Sequence, residues 1–346
     1  MNFTTDKPEQ FTPYYSDQLT DYVTSLKWST SGDKLAIASA AGEIIIWENQ
    51  EITNLQTATG KSIDCISFSV DDKYLAAAGQ DGTVKIWRGD QLITTLENAP
   101  IWVDKLAWHP INNYVAFNLG RYLQIWDADT EEVVVTLNFE SSSILDLDWR
   151  NDGQYIAVSG YKGLKVWSSE DWDEEPYVFD HGTVSVAMGW SKDGKYLASG
   201  NMDRSVMVLE WGNPDPWIMR GFPGKIRQLV WSEIANSIGA PLLATSSVDG
   251  IVVWQKLADE NLGWESQILT NHVDIINAIA YQPKSTLITS AGADGWLCVW
   301  NENEEVSQIL TGVSGGFSTL AWHPQGKFLA AGGEQGELLI WSITND

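Results

Sequence analysis

The sequence predicts an all-β chain folded as a single closed β-propeller of four-stranded antiparallel blades. Three observations predict it. A short phrase ending in tryptophan recurs along the 346 residues, and it accounts for much of the unusual content of 19 tryptophans. Each repeat breaks into short β-branched and aromatic segments between Asp- and Gly-containing turns. No stretch sustains a helical period.

The phrase reads GEIIIW at Trp47, DGTVKIW at Trp87, RYLQIW at Trp126 and KGLKVW at Trp167. It returns as SVMVLEW at Trp211, DGIVVW at Trp254, DGWLCVW at Trp300 and GELLIW at Trp341, a mean period of 42 residues. A second aromatic precedes each ending by 18 to 23 residues: Trp28, Phe68, Trp108, Trp149, Trp190, Trp231, Tyr281 and Trp322. Repetition at this period indicates a stacked or radial architecture. The second unit shows the pattern, with Ile63–Phe68, a turn at Val70-Asp71-Asp72, Tyr74–Gly79, a turn at Gln80-Asp81-Gly82, and Thr83–Trp87. A fourth segment follows in most units, such as Gln91–Leu96. Isolated sheets of this kind would leave apolar faces wet, and packing them face to face around an axis buries those faces.

Phrases such as WSKDGKYLASGNMDRSV, from Trp190, and DGTVKIW resemble the WD-repeat (Trp-Asp repeat) β-propeller family, from about Tyr22 to Trp341. Among the eight endings, Trp126-Asp127 carries the literal Trp-Asp pair, and most units lack the family's Gly-His pair. Counting strands gives eight blades, with seven as the alternative. Only Ser342–Asp346 follow Trp341, too few for a last outer strand. The resemblance implies that the N-terminal segment, residues 1–20 and within it Phe11–Leu19, supplies that strand and closes the last blade. The expected organisation is one propeller over residues 1–346.

Charge narrows the function. With 21 Lys and Arg against 46 Asp and Glu, the net charge is −25, which disfavours nucleic acid and anionic membrane as partners. Cys65 and Cys298 make no disulfide framework, and no apolar run reaches membrane-spanning length. The N-terminus lacks a basic-then-apolar leader, so a cytoplasmic setting is expected.

Two units carry residues that could suggest a catalytic triad: His272, Ser290 and Asp294 with Trp300, and His181, Ser199 and Asp203. In each, Ser follows His by 18 residues and Asp follows Ser by four. The resemblance implies instead a structural hydrogen-bond network, and two copies at identical offsets suit a scaffold device. The sixth unit keeps part of it in Thr245, Asp249 and Trp254. His109 and His323, each in Trp-His-Pro, fall at an exposed first-hairpin turn. No CxxC or HxxxH spacing, phosphate loop or dinucleotide fingerprint occurs, so no metal site, cofactor or catalytic residue is expected.

Function should therefore lie in the loops of a rigid scaffold. The resemblance implies a partner-binding face made of the turns between second and third strands and the segments leading into the first strands. Offsets within the repeat place Trp102, Tyr22, Tyr161, Met202 and Ile275 there, with Arg227 nearer the central channel. Aromatics and Met suit an interface core. Trp172 and Trp264 are a candidate second contact surface. The expected function is a non-catalytic scaffold that binds a protein or peptide partner, and the net charge suggests a partner with a basic patch. The alternative is a propeller enzyme, either a quinoprotein-like dehydrogenase or a hydrolase.

Overall fold

A computed structural model describes residues 10–301 and 305–344. Among these residues every regular element is a strand. The strands assemble into seven hydrogen-bonded sheets, six of four strands and one of six. The expectation of eight blades is thereby corrected to seven sheets, and the cause lies in the fourth and fifth repeat units. The second and third strands of the fourth unit run together as Tyr155–Ser168, through a turn where Lys162 and Gly163 take positive φ. The next connection also stays extended, so one strand, Tyr177–Trp190, is the outer strand of the fourth unit and the inner strand of the fifth. Pairing of Tyr161 with Val184 and of Ser185 with Asn201 fuses the two units into the six-stranded sheet.

The inner strands follow one another around a closed ring. Val23–Trp28 packs against Ile63–Phe68, and the succession runs on through Leu106–Trp108, Asp146–Trp149 and the end of Tyr177–Trp190. Gln228–Ala235, Ile276–Tyr281 and Phe317–Trp322 complete it, the last returning to Val23–Trp28. Gln10–Gln18 pairs antiparallel with Glu337–Thr344, on the outside of the sheet that holds Phe317–Trp322. That pairing covers an open edge, and Phe11 is buried edge-on against Trp322 at 5.8 Å. Residues 1–9 of the segment 1–20 lie outside the described residues.

Each apolar core is shared by two neighbouring units, the physical reason the ring closes. Leu26, Leu35 and Trp47 pack with Ala330, Leu338 and Ile340, while Ala116, Leu123 and Ile125 pack with Leu147, Trp149 and Ile156. First-strand tryptophans also bond across the seams. Trp28, Trp108, Trp149 and Trp231 donate from Nε1 to the carbonyls of Ala321, Ser67, Ala107 and Gly189, at 3.1, 2.8, 3.3 and 3.0 Å.

The third-strand tryptophans sit opposite aliphatic residues of the second strands, as in Leu35 with Trp47, Leu75 with Trp87 and Leu243 with Trp254. The fifth unit departs from the sequence reading here. Leu197 pairs with Leu209, so Leu209 occupies the repeat position, and Trp211 lies two residues beyond it. Trp211 packs instead against Tyr155, Tyr177, Phe179 and Trp190. In the sixth unit the extra residues Ser232–Pro241 lengthen the first hairpin, whose far end is held by Ala235 paired with Pro241.

His109 and His323 are buried, not exposed as the sequence suggested. His109 Nδ1 accepts the N–H groups of Ile111 and Asn112, which leaves Nε2–H to donate to Gly153 O at 3.1 Å in the next unit. His323 accepts from Gln325 N–H in the same way. Both rings rest on a turn glycine of the following unit. A Cβ on Gly153 or Gly32 would come within 2.4 Å of the imidazole, and both glycines have positive φ.

Candidate partner-binding face

Two sets of loops meet at one end of the ring, and a recurring backbone hydrogen bond ties them together. The residue just before each second-to-third-strand turn donates its N–H to the carbonyl of a residue leading into the first strand. Ala40 donates to Tyr22, Gln80 to Ser62, Met202 to Val184, Ala293 to Ile275 and Glu334 to Gly316, all at 2.8 or 2.9 Å. Loops from neighbouring units are also joined: Val103 N–H reaches Gly79 O, Ile144 N–H reaches Gly120 O and Ile276 N–H reaches Val248 O.

Trp102 is 59% exposed, Met202 50% and Tyr161 48%. They belong to the third, fifth and fourth units. Gly120, whose carbonyl holds Ile144, has Ile101 as its close side-chain neighbour. Tyr161 takes the hydroxyl of Ser142 on its N–H and pairs with Val184, which in turn accepts the N–H of Met202. These contacts link the loops that carry the three exposed residues. Arg227, in the sixth unit, is exposed. Tyr22 and Ile275 are half-buried and stand in the first and seventh units, away from the other three. Burial, with Glu334 nearby, pushes the Tyr22 hydroxyl pKa up.

Ile101, Val248 and Val273 are exposed apolar residues on the same loops, and Val273, at 73%, is the most exposed of them. Ile101 and Val273 lie one and two positions from Trp102 and Ile275, so widening that window would have found them, while Val248 itself holds the offset position before the turn of the sixth unit. Trp264 is buried among Tyr196, Trp217 and Trp231, and Trp172 packs edge-on against Trp149. Trp264 thus belongs to the core and not to a second contact surface.

The central channel carries charges that the offset reading passed over. Lys27 and Asp148, each just before a first-strand tryptophan, line one cavity of about 540 Å³. At the same position other units place Ser67, Ala107, Gly189, Val230, Ala280 and Ala321, a contrast visible in the sequence. Asp148 accepts Trp190 N–H at 2.8 Å and Asp146 accepts Met188 N–H at 2.9 Å, while Lys105 pairs with Asp146 at 3.6 Å. Burial pushes the Asp148 carboxyl up to about 7, opposed by the Trp190 N–H. Trp190 breaks the seam-bonding series, because its own Nε1 is buried without a partner.

His272, Ser290, Asp294 and Trp300 come together. His272 Nδ1 meets Asp294 Oδ2 at 2.9 Å, and His272 Nε2 meets Ser290 Oγ at 2.8 Å. Trp300 Nε1 donates to the same hydroxyl at 2.8 Å, and the carboxylate also holds Val273 N–H and Trp296 N–H. Ser290 is wholly buried. The sixth unit keeps a fragment, Trp254 Nε1 on Thr245 Oγ1 at 3.2 Å.

The matching set in the fifth unit does not assemble, which corrects the expectation of a second network. Ser199 bonds Ser185 at 2.6 Å and Asn201 at 2.8 Å, and Asp203 accepts from Ser205. Both ring nitrogens of His181 are buried without a hydrogen bond, and burial lowers the ring's pKa. The continuous strand Tyr177–Trp190 is the reason. It holds His181 in extended backbone opposite the turn of the fourth unit, where His272 instead sits in a loop.

Cys65 and Cys298 are free thiols. Burial raises both, Cys298 to about 11. Among the described residues no three His, Cys, Asp or Glu side chains cluster as a metal site. No helix among them is long and apolar enough to cross a membrane.

Curated relatives share short stretches with this chain. A segment of 123 residues, 33% of this chain, is 28% identical to the Set1 complex component swd1 of Schizosaccharomyces pombe and spans 31% of that protein. Another of 125 residues is 30% identical to the WD repeat and HMG-box DNA-binding protein 1 of Xenopus laevis, covering 32% of this chain and 11% of the relative. A third, of 141 residues, is 27% identical to the F-box-like/WD repeat-containing protein TBL1X of Mus musculus, covering 35% and 26%. The aligned parts therefore take in about a third or less of these proteins. The family model described as WD domain, G-beta repeat matches residues 12–48, 50–88, 131–168, 174–209, 263–301 and 304–342. The unmatched stretches 89–130 and 210–262 hold the third unit, whose turn reads Gly120-Arg121, and the lengthened sixth unit. On these six matches, and on a ring of seals formed between successive units, the chain belongs to the WD40 repeat family.

Proposed function

We propose that this chain is a non-catalytic scaffold that binds a protein or peptide through the face bearing Trp102, Tyr161 and Met202, with Arg227 at its edge. The observation that carries the reading is the exposure of three large apolar side chains on loops bonded to one another. Large apolar groups held on a rigid, pre-formed frame cost little to order on binding and are the residue types that dominate interface energies. Tyr22 and Ile275 extend the proposed face on its far side. A relative named as a component of the Set1 complex is in keeping with a role inside an assembly. The net charge of −25 supports a partner with a basic patch, and two free thiols suit a cytoplasmic setting for the single propeller of residues 1–346.

We read the His272, Ser290, Asp294 and Trp300 set as structural. Its hydroxyl has no exposed surface and is already engaged by two partners, so it offers no site for a substrate carbonyl. Trp102→Ala and Arg227→Ala should abolish capture of the native partner while leaving the melting temperature near wild type. Undiminished capture by both would reject this face. A cofactor absorbance band in the purified protein would favour the dehydrogenase reading. Covalent labelling of Ser199 or Ser290 by a fluorophosphonate would favour the hydrolase reading.

A further inference from the structure

We infer that the segment docking over the third to sixth units is an acidic peptide with apolar anchors. The inference rests on the reading of this face as the docking surface. The chain as a whole is strongly acidic, yet this sector is not. The second-to-third-strand turns of the third, fourth and fifth units present Arg121, Lys162 and Arg204, all exposed. They stand beside Trp102, Tyr161 and Met202. The loop leading into the sixth unit adds Lys225 and Arg227, also exposed.

These cations are uncommitted. Among the described residues, Lys162, Arg204, Lys225 and Arg227 have no side-chain hydrogen bond or ion pair, and Arg121 has Tyr122 alone, through its hydroxyl and its ring. The same sector also carries five exposed carboxylates, two of them paired with the further cations Lys165 and Arg220. Asp104 accepts from Asn118, Asp203 from Ser205 with Arg220 at 3.7 Å, and Glu140 pairs with Lys165 at 3.0 Å. Asp180 accepts the N–H of Gly182 and keeps its charge, as does Asp249, so the excess of cations here is small.

The other half of the face has the opposite character. The equivalent loops of the seventh, eighth, first and second units carry Asp274, Glu334, Asp21 and Asp64, each accepting a bond from its own or a neighbouring loop, against the one cation Lys61. The face is thus split into a cationic, aromatic half and an anionic half. Unpaired cations flanking exposed apolar side chains complement a chain that alternates Asp or Glu with Leu, Phe or Trp, and the anionic half repels it, which sets its position. The basic patch expected of a whole partner would then face the anionic half. A peptide fits better than a nucleic acid, because the acidic half and the net charge repel a continuous phosphate backbone.

Selection of random dodecapeptides on the immobilised full chain tests this. Synthetic copies of the enriched peptides are then measured by fluorescence anisotropy at 50 and 500 mM salt, with oligo(dT) run alongside. Enriched peptides should combine Asp or Glu with large apolar residues. The triple variant Arg121→Glu, Lys162→Glu, Arg204→Glu should bind them at least about tenfold more weakly at 50 mM salt, with a smaller loss at 500 mM, since screening removes exposed charge attraction. Trp102→Ala should weaken binding at both salt concentrations. Circular dichroism checks that each variant is folded.

Neutral or basic peptides that still need Trp102 would overturn the acidic assignment and leave the face intact. Peptides indifferent to both Trp102→Ala and Met202→Ala would remove the face itself. Absence of enrichment rejects the peptide proposal. Oligo(dT) binding that is lost in the triple variant would reassign the sector to nucleic acid.

Discussion

Ser290 Oγ lies 2.8 Å from His272 Nε2, and with the imidazole neutral the proton between them belongs to the serine. His272 Nδ1 faces the Asp294 carboxylate, which accepts only, so Nδ1 carries the hydrogen and Nε2 is left to accept from the hydroxyl. Trp300 N–H then fills the remaining side of Ser290 Oγ. This is the bond pattern of an activated nucleophile, sealed beneath a tryptophan.

Ser290→Ala should therefore cost stability and not activity. It leaves the His272 and Trp300 nitrogens without their shared partner in a buried site, a loss of about 1–3 kcal/mol. Urea denaturation followed by tryptophan fluorescence measures it. A midpoint equal to wild type would mean that the network contributes nothing.

The seam bonds are testable one at a time. Trp108→Phe keeps a buried ring but removes the N–H that satisfies Ser67 O. The expected destabilisation is about 1 kcal/mol. Trp190→Phe, whose Nε1 has no partner to lose, should cost less by comparison in the same denaturation assay. Equal losses for the two would contradict a role for the seam bond.

Deleting residues 1–18 uncovers the edge of Glu337–Thr344 and removes Phe11 from Trp322. The ring would lose the strand that covers this edge and expose apolar surface. Light scattering should show concentration-dependent association, together with a lower melting temperature. A monomeric variant with an unchanged melting temperature would deny this strand its closing role.

Asp148 makes stability depend on pH. Its folded pKa, about 7, exceeds the 3.8 of a free side chain, so between these values the folded chain holds a proton that the unfolded chain has released. Its contribution is therefore fully present at low pH and is lost as pH rises through about 7. Asp148→Asn retains a carbonyl for Trp190 N–H and cannot ionise. Its melting temperature should fall less than that of wild type between pH 5.5 and 8.5. Parallel profiles would show that Asp148 is not the titrating group.

Much of this architecture was legible in the residues. Tryptophan spacing, short β-branched and aromatic segments and Asp-Gly turns each report a local choice, and together they marked nearly every strand. The tetrad at His272 was legible for the same reason, since its members fall at set offsets within the repeat. The identical offsets at His181 misled, because hydrogen-bond pairing of Tyr161 with Val184 draws that segment into a strand. The same pairing merges two units and yields seven sheets where repeat counting gave eight. Trp211 misled by two residues, because period alone does not reveal that Leu209 faces Leu197.

The sequence by itself determined the repeat, the strands and their apolar faces, because these follow from each residue's own preferences and its near neighbours. Only the tertiary structure decided the sheet count, the burial of His109 and His323, the facing of Lys27 and Asp148 across one cavity, and the separation of the loop charges into two halves. Those properties arise where distant segments meet, and a linear pattern carries no record of which unpaired edge or charge its neighbour will satisfy.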